Sequence, residues 1–129
     1  LLGHALEMAK GSGQGIVIDK PAVPVLPRVR ELAADGVVPG GTKNNYNHVQ
    51  PSVDFAPSID ELDRFILCDA VTSGGLLISV GRERAFDLLE ELKAAGIEAA
   101  RIGEVTGDHP GRIVVRDGDG DGDSLGEGA

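Results

Sequence analysis

The segment RERAFDLLEELKAAG, Arg82 to Gly96, constrains the fold more than any other part of the sequence. Ala85, Leu88, Leu89 and Leu92 fall on one face of a predicted helix, and Gly96 stands where a C′ glycine closes the last turn. An apolar stripe of this kind needs a surface to cover, and strand-like segments supply one. GIVIDK (Gly15 to Lys20) and GLLISV (Gly75 to Val80) read as short buried strands. IEAARIGEV and GRIVVR read as two more, joined by TGDHPG as a hairpin turn containing Pro110-Gly111.

The remaining helices are weaker. Leu1, Leu2, Ala5, Leu6 and Ala9 repeat at helical spacing until Gly11-Ser12-Gly13 breaks the pattern. PAVPVLP is extended, because its prolines bias the preceding residues away from helix. RVRELAADG predicts a short helix with Gly36 at C′. Val37 to Ser58, VVPGGTKNNYNHVQPSVDFAPS, reads as a long, turn-rich connection of the kind that is functional or mobile. Ser58-Ile59-Asp60-Glu61 has the S-x-x-E form of a capping box and opens the helix IDELDRFILC. The order is α-β-α-α-β-α-β-β. The expected fold class is α+β, with helices packed on a mostly antiparallel sheet and ferredoxin-like β-α-β elements.

Composition narrows the function classes. A length of 129 residues suits one domain, and with 3% aromatics and no Trp the core must be Leu, Ile, Val and Ala. A net charge of −9 argues against nucleic acid as a partner. No apolar run reaches the roughly eighteen residues a membrane span requires, and no signal peptide is recognisable. The single cysteine rules out an internal disulfide and fits a reducing, cytoplasmic setting. The chain opens inside a helical pattern without an initiator Met, which reads as a fragment of something longer.

Several features invite a site and each has a plainer reading. Asp117, Asp119, Asp121 and Gly122 match the first half of a calcium loop, but its twelfth position is Gly128 and Glu127 comes one residue early. Residues 117–129 therefore read as a disordered, solvated acidic tail. Cys68 has no adjacent basic residue to activate it and follows Phe65, Ile66 and Leu67, which suits a small buried hydrophobe. His4, His48 and His109 lack metal-ligand spacing. Two stretches are more suggestive. Gly40-Gly41-Thr42 with Lys43, Asn44 and Asn45 can hold a phosphate, and so can the backbone N–H groups of Thr72-Ser73-Gly74-Gly75. The same residues also build ordinary turns, and no P-loop is present.

Taken together, LLGHALEMA (Leu1–Ala9), VVPGGTKNN (Val37–Asn45), LCDAVTSGGLLISV (Leu67–Val80) and ARIGEV (Ala100–Val105) resemble the C-terminal domain of selenophosphate synthetases, the selenide, water dikinases. These belong to a superfamily with aminoimidazole ribonucleotide synthetase, thiamine-monophosphate kinase and hydrogenase-maturation proteins. The resemblance covers the chain to about Arg116. It implies a part of an ATP- and Mg2+-dependent enzyme that makes selenophosphate, AMP and phosphate from selenide, ATP and water. The family's catalytic Cys or selenocysteine, its Lys and its metal-binding Asp belong to an N-terminal domain that would precede Leu1. That domain is the implied partner, and the family dimerises through it. Carried over to this chain, the resemblance leaves no catalytic or metal-binding residue, only Gly40, Gly41, Thr42, Asn44, Asn45 and Thr72–Gly75 as candidates near nucleotide. Val71 stands where the family has Gln. A relative with another acceptor and a free-standing ligand-binding module remain alternative readings.

Overall fold

The computed structural model describes residues 1–69 and 75–118. Helix α1 (Leu2–Ser12) buries Leu2, Ala5, Leu6 and Ala9, the positions its periodicity selects, and Gly13 ends it in the left-handed region at φ 70°. Strand β1 (Gly15–Asp19) follows, then a 3₁₀ turn at Lys20–Ala22 and helix α2 (Val29–Ala34), with Gly36 left-handed just past its end. Helix α4 (Glu61–Leu67) and helix α5 (Arg82–Ala94) also lie where the sequence places them.

The expected long connection is instead helix α3 (Gly40–Val49), a 3₁₀ turn at Gln50–Ser52 and strand β2 (Val53–Phe55). The turn-forming composition of GGTKNNYN hides a helix that tertiary contacts hold. Tyr46 packs edge-on against Phe65 at 5.2 Å between centroids, and Val49 is fully buried.

The sheet has the order β2-β4-β1-β3, where β3 is Gly103–Thr106 and β4 is Ile113–Arg116. The expectation of a mostly antiparallel sheet is wrong. Strand β4 runs parallel to both β1 and β2, and only β1–β3 is antiparallel. The hairpin between the last two strands is absent for the same reason, because β1 lies between them. The loop from Gly107 to Arg112 crosses over the start of β1, held by Gly111 N–H donating to Gln14 O (2.9 Å) and Ile16 N–H donating to Arg112 O (3.1 Å). Gly15 permits that crossing: a Cβ there would come 2.6 Å from the His109 ring. The β1-to-β2 connection through α2 and α3 is a long crossover, as two strands of the same direction require, with β4 inserted between them as in a split β-α-β unit.

One sheet face carries Ile16, Ile18, Ile113, Val115, Val53 and Phe55 in register, and α1 packs on it. Leu2, Ile18, Val49, Ile59, Ile113, Val115 and Cys68 form the fully buried centre.

Three further expectations fail locally. Gly75–Val80 is not a strand, and Leu76 is 89% exposed. Its apolar run permits a strand, but none of the described strands pairs with it. The stripe of α5 is only half-covered at Ala85, Leu88, Leu89 and Leu92. The α4 cap is Asp60, not Ser58. Asp60 Oδ1 accepts from Asp63 N–H (2.9 Å), whereas the Ser58 hydroxyl donates to Asp117 Oδ2 (2.8 Å).

Candidate functional site

Helix α3 begins at Gly40 with Pro39 as its N-cap, so no side chain caps its first amides. Ten residues long and without an acidic residue in its first turn, it presents a positive end built from the Gly40 and Gly41 backbone. Both glycines are exposed, and a Cβ added at Gly40 would meet nothing within 4 Å. Packing inside this chain therefore gives no reason for glycine at position 40. Lys43 and Asn44 are exposed on the next positions of the same helix.

The inward side of α3 is tied to the end of α4. The Thr42 hydroxyl, 2% exposed, donates to Asp69 Oδ1 at 3.2 Å. Asn45 Nδ2 donates to Cys68 O at 3.2 Å. These bonds place the GGT turn beside Cys68-Asp69, the residues from which the TSGG segment departs. Thr72, Ser73 and Gly74, together with Val71, lie outside the described residues, and Gly75 is exposed. Thr42 and Asn45 are thus brought to the second candidate segment's root, whereas Asn44 is exposed on the helix. Asp69 is the residue that sequence reasoning missed. Its only signal was a carboxylate directly after a buried cysteine.

Cys68 is 1% exposed, and burial pushes its thiol up to about 11, with the nearby chain amino group pulling weakly the other way. It is a packing residue, not an activated nucleophile. The same crowding lowers the pKa of the Leu1 amino group through desolvation, against the pull of Cys68 and Asp69. Leu1 therefore lies close to Cys68-Asp69. The three histidines stay apart: His4 faces Glu7 on α1, His48 is exposed on α3, and His109 crosses β1. Among the described residues, no three His, Cys, Asp or Glu side chains gather as a metal site would require. Among them too, no helix is long and apolar enough to cross a membrane.

An end-on helix with free glycine amides, braced by a buried Thr and an Asn against the root of a second Gly-rich segment, is the frame that the quoted motifs occupy. Residues 1–116 match the model of the family described as AIR synthase related protein, C-terminal domain. The chain belongs to that family.

Within this AIR synthase related C-terminal domain family, curated relatives agree closely with the chain. It is 46% identical over 115 residues to a selenide, water dikinase of Myxococcus xanthus, an alignment covering 89% of this chain and 33% of the relative. A selenide, water dikinase of Carboxydothermus hydrogenoformans is 41% identical over 117 residues, covering 90% of the chain and 33% of that protein. One from Clostridioides difficile is 43% identical over 106 residues, covering 81% and 30%. The chain spans about a third of the length of these relatives.

Proposed function

We propose that residues 1–116 are the C-terminal domain of a selenide, water dikinase, with residues 117–129 as an acidic tail. The observation that carries this reading is the 46% identity to the Myxococcus xanthus protein across nearly all of the domain. In the complete enzyme, selenide, ATP and water give selenophosphate, AMP and phosphate. Phosphoryl transfer of this kind depends on positioning and charge stabilisation.

The chain's own residues supply positioning. Gly40 and Gly41 offer backbone N–H donors, with room at Gly40 for close approach by a phosphate-bearing ligand, and Thr42 and Asn45 hold that turn against Cys68-Asp69. The TSGG segment, Thr72 to Gly75, follows Cys68-Asp69 in the sequence and offers further backbone N–H donors for the same ligand. ATP fits this donor set as a ligand shared with another domain. Magnesium does not fit the described residues of this chain, so no step here runs through it. The partners are the enzyme's N-terminal domain, which carries the nucleophile and metal ligands, and a second copy of the complete enzyme. The setting is cytoplasmic.

A chimaera tests the reading. Residues 1–116 replace the matching third of the Myxococcus xanthus enzyme, and selenide-dependent AMP formation is measured. The chimaera forms AMP and the isolated 129-residue chain does not. AMP formed by the isolated chain, or a folded chimaera that makes none, refutes the proposal.

A further inference from the structure

On the sheet face opposite α1, a cleft of about 370 Å³ is lined by Asp19, Arg82, Arg101, Gly103, Glu104 and Arg116. Sheet register puts it there: Asp19 pairs with Arg116 and Glu104 with Val17, one residue out of phase with buried Ile18 and Val115. Three guanidinium groups face two carboxylates in a chain whose net charge is −9. Arg116 and Asp19 pair at 2.7 Å and are largely sheltered. The other two arginines are arranged differently. Arg82 Nη2 at 2.8 Å and Arg101 Nη2 at 3.7 Å both converge on one oxygen, Oε2, of Glu104. Their side chains are 68% and 58% exposed, so much of each planar donor fork stays open to solvent at the cleft's edge.

Two cations crowded on one anion, with donors left over, form a receptor for a second anion. Arg82 also opens helix α5, whose first turn carries Glu83 beside Gly81, so the positive rim rests on the arginines and not on the helix end. Donors arriving from several directions suit a tetrahedral dianion better than a planar carboxylate.

We propose that this cleft binds a phosphoryl dianion, free or as the end group of a nucleotide, through Arg82 and Arg101. Glu104, already paired with both arginines, competes with the incoming anion and limits affinity to about the millimolar range. The site lies on the other side of the sheet from the α3 turn, and the inference does not rest on the dikinase reading.

The isotope-labelled 129-residue chain is titrated with inorganic phosphate and, separately, with AMP, at constant ionic strength, while amide resonances are followed. The backbone signals of Arg82, Arg101, Gly103 and Glu104 shift saturably. Arg101→Glu weakens binding at least tenfold and Arg82→Gln several-fold. Arg28→Gln, the same charge change as Arg82→Gln at an exposed arginine outside the cleft lining, leaves it unaltered. Tighter binding of AMP than of phosphate identifies a nucleotide-borne group, and equal binding identifies free phosphate. No shift at these four amides with either anion, or unchanged binding in a folded Arg101→Glu chain, overturns the proposal.

Discussion

Gly103 is the position where a single methyl group should do the most damage. A Cβ built there would overlap Val17 O and lie 2.9 Å from Val17 C and 3.0 Å from Ile18 Cα. All three atoms are backbone, so no rotamer change can relieve the contact. Strand β3 would have to withdraw from β1 by about an ångström, enough to stretch a normal N–H···O bond past its useful range. The affected ladder runs from Gly15↔Thr106 to Ile18↔Gly103, extended by Asp19 N–H donating to Ile102 O at 2.7 Å. Overpacking of this kind costs ~1–3 kcal/mol, and each ladder bond lost adds a net ~1 kcal/mol. For Gly103→Ala we expect a loss of ~2–4 kcal/mol. With a urea slope of ~1–3 kcal/mol per molar, the midpoint of unfolding falls by ~1–2 M. Gly107→Ala is the control, because its Cβ would meet only Gln14 Oε1, at 3.7 Å. A Gly103→Ala midpoint within ~0.3 M of the parent, with β1–β3 amide protection intact, would refute the steric argument.

Other consequences are simpler to read. Gly40→Ala should leave the urea midpoint unchanged, since the site is open, yet lower AMP formation in the chimaera by crowding the α3 amides; equal activity would show that the turn meets no ligand. Thr42→Val removes a buried donor from Asp69 and should cost ~1 kcal/mol by denaturant titration. The Cys68 thiol is raised from 9.0 to about 11 in the fold, so its contribution is complete below pH 9 and is lost as pH rises towards 11. Stability measured across that window should decline less in Cys68→Ala, and native Cys68 should resist alkylation at pH 8. Asp60 has the opposite sign. Its carboxyl is held below 3.8 by the Asp63 amide and then by Arg30, so its stabilisation is present above that value and fades as pH falls through the lowered one. Asp60→Ala should lower the thermal midpoint and flatten its acid limb, whereas Asp60→Asn should retain the cap.

The sequence by itself determined the elements whose signal is local. The periodicity at Leu2, Ala5, Leu6 and Ala9 marks a buried helix face, and Gly13, Gly36 and Gly96 adopt the left-handed φ that ends their helices. The motif set around Gly40–Asn45 and Leu67–Val80 likewise carried the family without any coordinates. Tertiary structure decided what depends on partners distant in the chain. Helix α3 exists because Thr42, Asn45, Tyr46 and Val49 find Asp69, Cys68, Phe65 and the core, contacts that composition cannot announce. Strand β4 lies beside β1 and β2 instead of folding back on β3, because hydrogen-bonded pairing is chosen between segments, not within one. For the same reason Gly75–Val80 has a strand's apolar run and forms no strand. A helix closes its own hydrogen bonds, so its pattern is legible one turn at a time. A strand's bonds belong to its neighbour, and only the assembled sheet says which neighbour that is.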